Sequence, residues 1–169
     1  MSQEYPEIDL IPLDLGLLQL LMEEPEQTLE QFCSNSDEVG ETVAQVAAAT
    51  IRFMGTRTVR APWVSYLGQR GDDHAIVGVC SFKSEPDEEA EVEIAYFTFA
   101  GYEGQGVATA MAGALVATAA ASEEARRVIA HTIDEDGPSP RLLRGLGFED
   151  EGMVIDPEDG AVHRWVLSL

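Results

Sequence analysis

The chain has 169 residues, 45% hydrophobic and 24% charged, which is enough for one domain with a real core. Ten basic residues against 31 acidic ones give a net charge of −21, and Lys83 is the single lysine. Nucleic acid is a poor partner for such a surface, because phosphates are repelled, whereas a cationic amine or basic peptide terminus is drawn in. The same acidic, lysine-poor surface also suits a salty cytoplasm. No apolar run is long enough to span a bilayer and no basic-then-apolar leader opens the sequence. A cytoplasmic protein with no membrane partner is therefore expected. Cys33 and Cys80 make neither a disulfide framework nor a metal site, and both are expected as small core residues.

In chain order, Ile8–Leu13 reads as a short strand, and Asp14 is placed to cap the helix Leu15–Met22. Leu17, Leu18, Leu20 and Leu21 give that helix a broad apolar face. Pro25 breaks or restarts it, and Thr28–Cys33 can continue as helix. After the loop Ser34–Asp37, Val39–Phe53 reads as a second helix, with Val43, Val46, Ala47, Thr50, Ile51 and Met54 on one side. Pro62–Gly68, Ala75–Lys83 and Glu91–Phe99 alternate and are separated by turns rich in Gly, Asp and Pro, which makes them consecutive antiparallel strands. Gly78 marks a bulge or a close backbone contact. Val107–Ala121 is a helix packed hard against a neighbour, Arg127–Thr132 a buried strand, and Pro138–Gly145 a short helix with Pro at its first turn. Gly152–Asp156 and Val162–Leu167 flank the turn Pro157–Gly160 and pair as a closing hairpin. The apolar final strand offers a homodimer a place to form. No repeat or linker interrupts the chain, so residues 1–169 read as one domain.

The stretch Glu91–Leu115 organises the rest. A strand runs through Gly104-Gln105-Gly106 into a helix, which leaves the first helical N–H groups unpaired and aimed at one point. Phosphate is favoured there. A lone Gly-x-Gly also serves any tight turn. Thr109 stands where a dinucleotide fingerprint needs its third glycine, and no Gly-Lys-Ser/Thr follows as in a P-loop.

The stretch Glu103-Gly104-Gln105-Gly106-Val107-Ala108 resembles motif A of the GNAT superfamily of acetyl-CoA-dependent N-acetyltransferases, Arg/Gln-x-x-Gly-x-Gly/Ala. Gly106 and Ala108 match, while Glu103 stands where Arg or Gln is usual. A second match is His131–Phe148, similar to the stretch in which an Asn precedes a helix closing on Leu-Gly-Phe. Asp136 falls on the Asn position, Ser139 on the small residue after it, and Leu146-Gly147-Phe148 on the helix end. The order of elements that follows is similar to the RimJ/RimL-type branch. The resemblance covers about residues 60–169, and residues 1–55 carry no recognised motif. It implies an α/β fold: a mixed, mostly antiparallel central sheet flanked by helices on both faces, with the two N-terminal helices forming a wall of the acceptor groove. It also implies an N-acetyltransferase that uses acetyl-CoA as co-substrate and takes a protein N-terminus or small amine as acceptor.

Chemistry of this kind needs a held thioester, a neutral amine within reach and a stabilised oxyanion. The backbone of about Gly104, Gln105, Gly106, Val107, Ala108 and Thr109 would wrap the pyrophosphate, and Glu103 could bind by its N–H with its side chain in solvent. The resemblance assigns main-chain bonds to the cofactor arm to Tyr96 and Thr98, and a cofactor contact to Asp136, which lacks the amide donor of Asn. Glu93, mid-strand in an apolar run, is the expected base, acting directly or through water. It shares a face with Glu91, so a solvated or arginine-paired carboxylate is the rival reading. The resemblance expects a Tyr as general acid at Leu143; Ser139 could bond the thiolate instead, or cap its helix. His131 is expected as a hydrogen-bonded core residue, and Trp63 and Trp165 as core or groove wall. No metal ligand set is present in the pattern. The departures at Glu103, Asp136 and Leu143 leave open two other readings: an acyl-CoA-binding module without turnover, or an acidic structural protein.

Overall fold

The computed structural model describes residues 4–169. Its elements in order are β1 (Ile8–Pro12), α1 (Leu15–Glu23), α2 (Pro25–Leu29), α3 (Ser36–Met54), β2 (Ser65–Arg70), β3 (Ile76–Phe82) and β4 (Glu91–Thr98). There follow α4 (Val107–Ala121), β5 (Arg127–Thr132), α5 (Pro138–Gly145), β6 (Glu149–Asp156) and β7 (Gly160–Ser168). The strands form one seven-stranded sheet in the order β1-β2-β3-β4-β5-β7-β6. Every neighbouring pair is antiparallel except β4 and β5, which run parallel. The α4 and α5 helices and β5 keep the boundaries read from sequence.

Local chemistry explains the ends. Asp14 does cap α1, its Oδ1 accepting the Leu17 N–H at 2.8 Å. Pro25 opens α2 from its first turn, and this helix stops at Leu29, short of Cys33. The α3 helix starts three residues before the expected Val39. Asn35, just ahead of it, is not used as a side-chain cap. Its amide instead bridges to β3, accepting the Ile76 N–H at 2.9 Å and donating to Ile76 O at 3.0 Å. Cys80 is buried and burial pushes its thiol up to about 12, which keeps it an inert core group. Cys33 is half-buried and packs at the edge of the core.

Helices cover both faces of the sheet. Leu18, Leu21, Val43 and Ala47 of α1 and α3 are buried on one side, and Met111, Ala112, Leu115 and Ala119 of α4 on the other. The α4 side is packed to backbone contact. A Cβ on Gly78 would lie 2.6 Å from the Phe97 carbonyl oxygen and 2.8 Å from Met111 Cε. The expected close contact is therefore at Gly78, and a bulge lies beside it: the pairing steps from Gly68–Gly78 to Gln69–Ile76, which leaves Val77 of β3 as the extra residue. Gly78→Ala is expected to cost stability at the upper end of the roughly 1–3 kcal/mol of overpacked cores, because the obstacle is main chain. Denaturant unfolding of the variant checks this.

The last strand corrects one expectation. β7 lies between β5 and β6 with both edges hydrogen-bonded, so it cannot pair across a dimer. The outer strands are β1 and β6. Among the described residues, no helix is long and apolar enough to cross a membrane.

Candidate active site

β4 and β5 are paired over only three positions: Glu91 with Arg127, Val92 with Val128, and Glu93 with Ile129. Past Glu93 the two strands part. β4 stays on β3 as far as Thr98, and β5 stays on β7 as far as Thr132. A fork opens between them, with one edge of β4 unpaired and available to a ligand's amides. Its cavity of about 180 Å³ is lined by Lys83, Glu93, Tyr96, His131, Ser139 and Asp159.

The glycine turn lies beyond the same end of β4. Gly104 and Gly106 have φ of 72° and 78°, a left-handed conformation that side chains resist. Gly106 is the cap of α4, and the first intrahelical bond runs from Ala110 N–H to Gly106 O at 3.0 Å. Val107, Ala108 and Thr109 therefore present N–H groups with no acceptor among the described residues. They border a cleft of about 810 Å³ that also touches Thr98, Glu103, Gly104, Gly106 and Arg141. The Tyr5 ring roofs the turn, since a Cβ on Gly106 would come within 2.9 Å of it.

The side chains of the turn face away from this cleft or only edge it. Glu103 is exposed and folds back, its Oε2 accepting the Gly101 N–H at 3.2 Å. Gln105 braces the loop. It accepts from Arg70 at 3.0 Å and donates to Gly101 O at 3.2 Å. Arg70 is itself held by Asp73 at 2.6 Å and stands 5.5 Å from the Tyr102 ring centre. That ion pair holds the Asp73 carboxyl well below the usual carboxylate range. Arg141, in the first half of α5, is exposed at the cleft wall and has no carboxylate partner among the described residues. Sequence reasoning missed it. The signal available was a lone cation on the helix after the second motif, in a chain with 31 acidic residues.

Three other expectations meet the structure as follows. Asp136 is not at the cleft wall: it is exposed, and Arg144 donates to it at 3.2 Å. Leu143 is fully buried in the core, so a tyrosine hydroxyl at that position would have to displace packing. Ser139 does reach the fork. Its Oγ lies 2.6 Å from the Tyr96 hydroxyl, a contact that spans from β4 to α5. Burial raises the Tyr96 phenol above its ordinary value, with the Ser139 hydrogen bond pulling the other way.

Glu93 is not a carboxylate alone in an apolar run. Lys83 Nζ and His131 Nδ1 each lie 2.9 Å from its Oε1, and its side chain is 23% exposed. Glu91 on the same face is the arginine-paired one, with Arg127 and Arg164 both at 2.9 Å. His131 is hydrogen-bonded as expected, but it faces the cavity and not the core.

Beside Lys83, on the face away from α4, runs a groove of about 400 Å³. Its floor is Val79, Ser81, Ala95 and Phe97, and its walls are α3, through Val46, Thr50 and Phe53, and Glu158 of the β6–β7 turn. This accounts for two exposed aromatics, Phe97 at 60% and Phe53 at 42%. The groove adjoins the fork through Lys83 and Ala95, and the fork carries a carboxylate, an imidazole and paired hydroxyls. The amide-lined cleft lies on its other side, with Thr98 and Pro138 close in sequence to Tyr96 and Ser139.

Comparison with known proteins gives the same fold. A putative ribosomal-protein-serine acetyltransferase from Vibrio cholerae superposes with a TM-score of 0.67 at 17% identity, covering 100% of both chains. RimL, a ribosomal L7/L12 alpha-N-protein acetyltransferase solved with coenzyme A, gives 0.64 at 19% identity, covering 96% of this chain and 94% of its own. The microcin C7 self-immunity acetyltransferase MccE, solved with acetyl-CoA and AMP, gives 0.64 at 17% identity, over 96% and 93%. No curated protein matches the sequence. The family model described as "Acetyltransferase (GNAT) domain" matches residues 10–149, so the match takes in the N-terminal helices in which no motif was visible. With most of its length matched and its sheet forked beside an amide-lined cleft, the chain belongs to the GNAT acetyltransferase family.

Proposed function

We propose that the protein transfers an acetyl group from acetyl-CoA to a primary amine, by direct attack in a ternary complex in the cytoplasm. One observation carries the reading. The unpaired amides of Val107–Thr109 border a cleft whose wall includes Thr98 of β4 and Pro138 of α5, close along the chain to Tyr96 and Ser139 of the fork that holds Glu93. The residues fit a diphosphate carrying a long amide-bearing arm. The helix end supplies N–H donors and a favourable dipole, small side chains allow close approach, and Arg141 supplies a positive charge at the wall. Bound acetyl-CoA would bring a thioester, and the chain's own task is to orient it and move protons.

The acceptor in this reading is a cationic amine, either a protein N-terminus of the RimJ/RimL type or a small molecule. Its groove combines an apolar floor with Glu158 and Asp159 at the β6–β7 turn. Related folds act on both classes: RimL on a ribosomal protein, and SpeG of Vibrio cholerae on spermidine and spermine.

A thermal-shift series with acetyl-CoA, followed by thiol release across a panel of amines and peptides, tests the proposal. A ligand at a hundredfold excess over Kd is expected to add ~2.7 kcal/mol of stability. A shift with turnover supports transfer. A shift without turnover reduces the protein to a binder, and no shift removes the reading.

Two charges near the cleft should tune affinity in opposite senses. Arg141→Ala is expected to weaken acetyl-CoA binding about tenfold, since a charge-assisted hydrogen bond is worth roughly 1.5–3 kcal/mol. Glu103→Arg is expected to tighten it at low salt by up to about fivefold, the range of an exposed ion pair. Calorimetry at two salt concentrations reads both.

A further inference from the structure

Lys83 is the single lysine among ten lysines and arginines, and its side chain lines the fork. Its Nζ is 2.9 Å from Glu93 Oε1, and Glu93 is the last residue of β4 paired before the fork opens. Its side chain is 25% exposed and borders three adjoining cavities: the fork, the acceptor groove, and an apolar pocket beneath Met54 and Trp63. Among the described residues, arginine holds the carboxylate in every other ion pair formed by a permanent cation, as Arg164 does with Glu91. An arginine could pair with Glu93 equally well, but it cannot give up its proton and become a nucleophile. Lysine can, and its four-carbon stem lets the nitrogen swing from Glu93 toward the fork.

We infer that Lys83 is a self-acetylation site: in the absence of an external amine, its Nζ takes the acetyl group of acetyl-CoA bound in the fork. This rests on the acetyl-transfer reading above. The ammonium first passes one proton to Glu93 Oε1. The free Nζ lone pair attacks the thioester carbon, an N–C bond forms, and the C–S bond breaks. The nitrogen's second proton reaches the departing sulfur through the Tyr96–Ser139 hydroxyl pair, and the third remains on the amide. The products are Nζ-acetyl-lysine and CoA thiol, and the proton on Glu93 returns to solvent. Burial favours a neutral Lys83, but the Glu93 hydrogen bond and the carboxylates of Glu93, Asp156 and Asp159 outweigh it and hold the ammonium above its ordinary value. The reaction is therefore a slow single event per chain, one that a bound external amine outcompetes. It leaves His131 as the remaining partner of Glu93 Oε1.

The test is incubation of the full chain with acetyl-CoA and no amine, read by intact mass and peptide mapping. The expected result is a gain of one acetyl group per chain, on Lys83. It should be lost when excess desulfo-CoA, which lacks the thiol, fills the cleft, and lost in Lys83→Arg, which keeps the ion pair. An unmodified Lys83 in protein that binds acetyl-CoA and acetylates an added amine overturns the inference. So does an acetyl group found elsewhere, or one that desulfo-CoA does not suppress, which marks uncatalysed chemistry in solution. Absence of both an acetyl-CoA thermal shift and amine turnover removes the underlying acetyl-transfer reading instead, and this inference with it.

Discussion

Glu93→Gln is expected to lower turnover at neutral pH by ~10²–10⁴-fold, the usual contribution of a general base, while leaving acetyl-CoA affinity unchanged. The carboxylate sits where β4 leaves β5 and is bonded to Lys83, which also lines the α3-side groove, so in the proposed reaction it stands between the amine's groove and the fork. A second feature strengthens the case. Oε1 is shared with His131 Nδ1 at 2.9 Å, so a proton taken from the amine has a neighbouring site to occupy. The substituted amide keeps the shape of the carboxylate but neither accepts that proton nor balances the Lys83 ammonium. A melting curve must therefore accompany the kinetics, since an unpaired, half-buried Lys83 costs stability on its own. Saturating acetyl-CoA with varied amine separates the two effects. A loss of kcat in a protein that still melts with a full acetyl-CoA shift assigns Glu93 to the chemistry. Full activity removes it.

Much of this arrangement was legible in the sequence, for identifiable reasons. α4 and α5 could be bounded because Gly106 and Pro138 open them, and these residues report backbone conformation directly. The strand order β2-β3-β4 followed from alternation and short turns. The misses have physical causes too. Pro62-Trp63-Val64 continues the alternation of β2, but local bonds, Trp63 N–H to Arg60 O and Val64 N–H to Pro62 O, curl that segment into a turn. Strand β6 begins at Glu149 and not Gly152, because a register shift between Asp150 and Met153 lets the pairing pass through the glycine. The site was legible as backbone and not as side-chain partnerships. Lys83, Glu93 and His131 come from the β3 end, β4 and β5, and only the sheet register brings them together. Asp136 matched a motif position, yet it is exposed outside the cleft lining, with Arg144 at 3.2 Å.

Tyr96→Phe is expected to cost ~10²-fold in kcat, with acetyl-CoA affinity nearly intact. The departing thiolate needs a proton, and the position from which the family resemblance would supply it, residue 143, is a buried leucine. In the proposed reaction Tyr96, on another element, is placed to fill that gap. Its hydroxyl stands in the fork, 2.6 Å from Ser139 Oγ, and both hydroxyls can donate. Sequence reasoning gave Tyr96 only a main-chain role, because strand alternation says nothing of what lies at the start of α5. The sign of its titration is favourable. Burial raises the phenol above the ordinary value of about 10, so the acid form persists through neutral pH and well into the alkaline range. A general acid of this kind acts below its pKa and fails above it. The wild-type rate should therefore hold on the alkaline side up to about pH 10 and fall only beyond it. In Tyr96→Phe that fall should disappear along with most of the rate. Ser139→Ala should cost less, since the phenol can still donate, and a double variant no worse than Tyr96→Phe would place the proton on the phenol. Equal losses in both single variants would instead make the pair one relay, with the serine nearer the sulfur.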